Sequence, residues 1–167
     1  GEYQTSFTYS ADDGGTPPEG GVSDLATVDV TVTTGPQVFV EWNMDEDPDW
    51  SLQGDWAWGQ PAGSGGDPSS GATGANVVGY NLAGQYASNL SQTHATTPIF
   101  DCSGSVGTTL EFKRWLGVES STYDHAYVSI STNAGFSWDV IYENQAASFS
   151  DTSWQDIELD ISQYADG

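Results

Sequence analysis

Basic residues are almost missing from this chain: two of its 167 residues are Lys or Arg, against 24 Asp and Glu, for a formal net charge of −22. Binding a phosphate backbone takes a basic footprint, so nucleic acid is excluded as a partner. An anionic membrane surface is excluded on the same ground. Cysteine is scarce too. Cys102 stands alone, so no disulfide can close within these residues; it packs as a small hydrophobe or pairs with a partner outside them. No apolar run is long enough to cross a bilayer, and membrane insertion is not expected. No stretch repeats apolar residues at helical spacing through three turns.

What is present favours strands. Seven Trp, eight Tyr and six Phe offset an aliphatic-poor composition, since each large aromatic can bury about 150–250 Å². Twenty Gly residues, with abundant Ser and Thr, supply turns and β-branched positions. The expected class is all-β.

Residues 5–12 and 25–33 read as two strands. The second alternates Ala26, Val28, Val30 and Val32 with Thr27, Asp29, Thr31 and Thr33. A Gly/Pro-rich loop separates the two, making a long-looped hairpin. A lone hairpin is marginal in water, so residues 1–34 need further strands. Phe7-Thr8-Tyr9, Asp12-Asp13-Gly14-Gly15 and Ala26 through Val32 resemble the last two strands of cadherin-like or other Ig-like repeats of large bacterial surface proteins. The resemblance implies that 1–34 is the terminal hairpin of an Ig-like β-sandwich, cut from a longer polypeptide.

Composition changes after Gly35-Pro36. Strands are expected at Val38–Val40, Trp56–Gly59, Asn76–Tyr80, Ala95–Phe100, Thr108–Leu116, Ala126–Ser131, Ser137–Tyr142 and Trp154–Ile161, with a hairpin connection over 132–136. Several short strands with turn signals predict a sandwich or barrel. The ordered stations Asp49-Trp50, Trp56 through Pro61, Gly74 through Gly79, Tyr80-Asn81-Leu82, Thr97 through Asp101, Leu110-Glu111-Phe112, Tyr123 through Ser131, Gly135, Trp138, Trp154-Gln155-Asp156 and Leu159 through Ser162 resemble the bacterial MAM-like jelly-roll. That module stands beside immune-inhibitor-type metallopeptidases and in gingipain-type cleaved adhesins. The resemblance implies an incomplete jelly-roll β-sandwich over 35–167, lacking its last strands. It also implies calcium ligands, some from an end this sequence does not include.

Asp45, Glu46, Asp47 and Asp49 crowd four carboxylates into five positions. Such a loop is either solvated or neutralised by a cation, and its spacing is not that of an EF-hand. A solvated acidic loop is the preferred reading; a calcium site built from Asp45, Asp47 and Asp49, with Glu41 and Asp124 as further ligands, is the alternative. Asp124-His125 invites a general-base reading, but no nucleophile pattern accompanies it, and a strand-edge pair with structural hydrogen bonds is preferred. His94 and His125 have no zinc spacing. Any pair among 24 acids could be drawn as a glycosidase dyad, and no motif singles one out. Catalysis is therefore not expected.

Arg114 shares its strand face with Leu110, Phe112 and Leu116. A guanidinium on a buried face requires a carboxylate, so a structural Arg114–carboxylate pair is predicted, with Asp124 as partner. Trp56 and Trp58, two apart, share one face, and Trp115 lies on another strand. Core filling is the preferred role for these three, a carbohydrate platform the alternative. Together these readings predict a non-catalytic structural or adhesive module of a secreted or cell-surface multidomain protein. Its expected partners are neighbouring domains or copies of the same protein, as in a fibre or surface assembly. The alternative is a carbohydrate-binding module of a secreted hydrolase or peptidase, with a glycan as ligand.

Overall fold

The computed structural model describes the backbone of residues 2–9 and 26–33 and the whole of residues 35–167. Two compact units divide the chain, Gly1–Val38 and Phe39–Gly167. In the first, β1 (Glu2–Tyr9) and β2 (Ala26–Thr33) pair antiparallel from Glu2↔Thr33 to Tyr9↔Ala26. The Gly/Pro-rich loop and the side-chain alternation expected for β2 lie outside the described residues.

The second unit is all-β, of the sandwich class, and its strands join in nested antiparallel pairs. In its first half, β3 (Ser51–Leu52) and β6 (Ala95–Thr96) enclose β4 (Trp56–Gly59) paired with β5 (Val77–Tyr80). In its second half, β7 (Thr109–Arg114) and β12 (Gln155–Asp160) form the outer pair, and β8 (Gly117–Val118) and β11 (Phe149–Ser150) the middle one. The inner pair is β9 (Tyr127–Ile130) with β10 (Asp139–Glu143). This half is one long hairpin with two interruptions. A single turn, α1 (Ser162–Ala165), follows it.

Period-two alternation builds the half-buried face. On β7, Leu110, Phe112 and Arg114 turn inward while Thr109, Glu111 and Lys113 stay exposed; on β12, Ile157 and Leu159 lie opposite Phe112 and Leu110. Lys113 pairs with its cross-strand neighbour Asp156 on the exposed face, an arrangement of little energetic weight. Val77 and Ile161 are buried, as is Pro61, and no described side chain is withdrawn from solvent completely.

Polar side chains take over where the ladders break. The described residues include three buried polar ones, Ser105, Asn144 and Asp151. Between the outer and middle pairs, Asp151 N–H donates to the Leu116 carbonyl (2.8 Å), and Leu116 N–H donates back to Asp151 Oδ2 (2.8 Å). The carboxylate thus stands in for a ladder carbonyl. Between the middle and inner pairs, Asn144 Oδ1 accepts from Ala126 N–H (2.8 Å), and its Nδ2 donates to the carbonyls of Glu119 (3.2 Å) and Asp124 (3.0 Å). At the open end, Ser105 Oγ donates to the Ala165 carbonyl (2.8 Å) and lies 2.9 Å from Thr108 Oγ1. Asp151 and Asn144 answer backbone groups that an interrupted ladder leaves without partners, and Ser105 answers a carbonyl at the end of α1.

The tip between β9 and β10 is braced in the same way. Asn133 Oδ1 accepts from Ser137 N–H (2.9 Å) and its Nδ2 donates to Ser137 Oγ (2.8 Å), while Ser131 Oγ accepts from Gly135 N–H (2.9 Å). Ala134 and Gly135 both take positive φ, 57° and 86°; glycine suits this region, and alanine there is unusual.

Some expected strands are shorter or absent. Val38–Val40 is irregular, with Val38 and Phe39 exposed, because none of the described strands pairs with it. Of Ala95–Phe100 only Ala95–Thr96 is paired.

Candidate functional site

The acidic loop folds around its own backbone. Asn43 Oδ1 accepts from Asp45 N–H and Asp47 Oδ1 from Asp49 N–H, both at 3.0 Å. The indole N–H of Trp58 donates to the Met44 carbonyl (2.9 Å), and Thr73 Oγ1 to that of Asn43 (3.4 Å). Glu41, Glu46 and Asp47 line an open hollow with Trp42, Asn43, Met44 and Pro48. Asp124 is engaged elsewhere, where its Oδ2 accepts from the Tyr86 hydroxyl at 2.7 Å. Among the described residues no three His, Cys, Asp or Glu side chains converge so as to hold a metal ion. Of the residues named from the sequence, Glu41 and Asp47 line that hollow, Asp45 and Asp49 lie on the same loop, and Asp124 lies apart from them against Tyr86.

Arg114 has its carboxylate, but the partner is Asp151 and not Asp124. Its Nε meets Asp151 Oδ2 at 3.1 Å, its Nη1 donates to the Tyr142 hydroxyl (3.0 Å), and its guanidinium lies over the Phe149 ring at 4.6 Å. Asp151 prevails because it already sits in the ladder break beside Leu116, two residues from Arg114. Trp56, Trp58 and Trp115, for which packing is the preferred role and a platform the alternative, are half-buried and engaged within the fold. Trp56 meets Tyr80 edge to face at 5.8 Å. Trp115 meets Trp154 likewise at 5.7 Å and donates its indole N–H to the Gly66 carbonyl (2.9 Å). Trp58 holds Met44.

His125 turns away from Asp124. Its Nδ1 lies 2.8 Å from Glu143 Oε1, and its ring stacks parallel on Tyr127 with centroids 5.5 Å apart. Glu143 and Tyr127 are cross-strand partners. Partial desolvation, then the charge of Glu143 and a hydrogen bond to it, push the Tyr127 phenol above its ordinary pKa. The same side of the ribbon carries Ser129 opposite Val140, and then Trp138, two residues before Val140. Trp138 is 49% exposed and Phe136, at the braced tip, 92%. This aromatic face was not singled out from the sequence. The alternation in Ser137–Tyr142 carried the signal, since it sets Trp138 and Val140 on one side.

Taken together, the geometry defines an all-β module whose buried ionisable and amide groups brace the backbone and whose open chemistry lies on an exposed ribbon. The sequence is similar to Bacillopeptidase F of Bacillus subtilis (strain 168), at 30% identity over 142 residues, covering 80% of this chain and 9% of that protein. The chain thus spans 9% of the length of the curated relative it matches. No family model matches the chain, and no solved structure matches it. Among the described residues no helix is long and apolar enough to cross a membrane.

Proposed function

We propose that this chain is a non-catalytic β-sandwich module of a larger extracellular protein, secreted or held at the cell surface, where it spaces and presents neighbouring domains and contributes adhesion. The carrying observation is the use of its buried polar groups. Asn144 and Asp151 are committed to backbone partners at ladder breaks, and Ser105 to the Ala165 carbonyl at the end of α1. A general base needs a reacting group within reach, and none of the three has a free face for one. The match to a small part of a much longer peptidase supports a module carried beside other domains. The nested pairing supports the jelly-roll resemblance, and the β1·β2 hairpin supports an Ig-like neighbour.

The test is to incubate the purified chain with casein, ester and glycoside substrates while measuring its retention on cell-wall preparations. Retention without turnover is the expected result. Turnover that disappears in Glu143→Gln or His125→Ala would overturn the non-catalytic reading.

A further inference from the structure

We propose that the exposed face of the β9–β10 ribbon is a binding site for a neutral oligosaccharide, with Trp138 and Tyr127 as its two stacking stations. This inference rests on the reading of the chain as a non-catalytic module and adds the ligand class. Tyr127 and Trp138 stand at opposite ends of one face, separated by about four strand residues, or ~13 Å at ~3.3 Å per residue. Between them lie Ser129 and Val140, side chains smaller than the two aromatics, with a β-bulge after Val140 where the register shifts. The braced tip fixes one station, and the stack on His125 fixes the other, so little ordering is required when a ligand lands. Aromatic faces receive the C–H side of a sugar ring. Polar groups for its hydroxyls sit alongside: the second oxygen of Glu143, and Nε2 of His125, which accepts when Nδ1–H donates to Glu143.

Size and charge select the ligand. A ribbon two strands wide, at ~4.8 Å between strands, and ~13 Å long offers roughly a few hundred Å² with its side chains. A stable protein partner needs about 800 Å² per side. The carboxylate of the face, Glu143, already shares a hydrogen bond with His125, and a single carboxylate falls far short of the six to eight oxygens that calcium takes. Acidic glycans are repelled by the net charge of −22. A neutral sugar chain satisfies both limits.

The experiment measures retention of the whole chain on cellulose, xylan, chitin, polygalacturonate and a collagen film, followed by titration with hexasaccharides of whichever polymer retains it. Binding to a neutral polymer is expected, weakened at least tenfold by Trp138→Ala and by Tyr127→Ala. Val106→Ser, at a 90% exposed position away from the ribbon, should leave it unchanged. Circular dichroism confirms that each variant is folded, and Trp138→Phe should retain much of the affinity. No retention on any neutral polymer, or retention indifferent to Trp138 and Tyr127, overturns the site. Trp138-dependent capture of collagen or polygalacturonate also overturns it, in favour of a protein or acidic ligand. Release of reducing ends from a bound hexasaccharide would instead overturn the non-catalytic reading, leaving the site standing.

Discussion

Arg114 and Asp151 meet across the first break of the long hairpin, with 15% and 6% of their side chains exposed and Nε 3.1 Å from Oδ2. The same Asp151 oxygen accepts the Leu116 N–H, so ion pair and ladder repair share one atom. Removing one member of a buried pair strands the other charge, at a cost of about 3–5 kcal/mol. Arg114→Met should therefore destabilise the fold by about 3 kcal/mol in urea unfolding. Arg114→Lys should recover little, because a single ammonium cannot reach Asp151 and Tyr142 as a planar fork does. Asp151→Asn should cost at least as much, since it loosens Leu116 as well. A cost below ~1 kcal/mol for Arg114→Met would place the pair with ordinary surface salt bridges.

Asn144, 3% exposed, separates two effects of one atom change. Its amide donates to two carbonyls and accepts from one N–H. Asn144→Ala leaves those backbone groups buried and unsatisfied, at about 1–3 kcal/mol each before relaxation. Asn144→Asp keeps the shape but turns a carboxylate oxygen toward the carbonyls of Glu119 and Asp124. Thermal melts should rank wild type above Asn144→Ala and Asn144→Asp, and the aspartate should recover as pH falls and its carboxyl is protonated.

Acid should loosen the C-terminal turn through Asp166. Its carboxylate accepts from the Thr108 hydroxyl (2.7 Å) and from the N–H groups of Gly107 (2.7 Å) and Thr108 (3.0 Å). These bonds, the Thr108 hydroxyl first, hold its pKa below the usual carboxylate range. The folded state then binds the proton less readily than the unfolded one, so this contribution is complete above about pH 4 and disappears as pH falls through the depressed value. Wholesale protonation also relieves self-repulsion, so the informative quantity is a difference. Asp166→Asn should lie below wild type in Tm at neutral pH, and the gap should close toward about pH 2. A gap that stays constant with pH would count against Asp166.

Calcium should do little to this chain. A saturated site at a hundredfold excess of ligand would add about 2.7 kcal/mol, several degrees of Tm for a domain of this size. With no three carboxylates converging among the described residues, melts in calcium, in magnesium at equal ionic strength and in chelator should agree within about one degree. A calcium-specific rise of several degrees would show that ions assemble the acidic loop.

The sequence carried the strands best where alternation was long. Thr109–Arg114 and Gln155–Asp160 each show a full period-two run, and the inward face of Arg114 followed from it. Val38–Val40 misled because three apolar residues in a row carry no information about whether a partner strand exists. The Arg114 partner was misassigned for a related reason. Asp151 lies in a polar link between β11 and β12 with no periodicity, and nothing local marks which of many acids lands in a ladder break. For the tryptophans, aromatic abundance in an aliphatic-poor chain pointed to packing, but their long-range acceptors, the Met44 and Gly66 carbonyls that engage Trp58 and Trp115, follow from no spacing rule.

Nested pairing also sets a timetable for assembly. The tip from Ser131 to Ser137 closes with local hydrogen bonds, and β9·β10 can zip directly behind it. Each completed pair draws in the ends of the next, so Val118↔Phe149 and then Thr109↔Asp160 close over a gap already shortened, with only a small added entropy. Mutational φ-values should accordingly decline from the tip toward β7 and β12, so that damage at Asn133 slows folding while damage near Asp166 hastens unfolding.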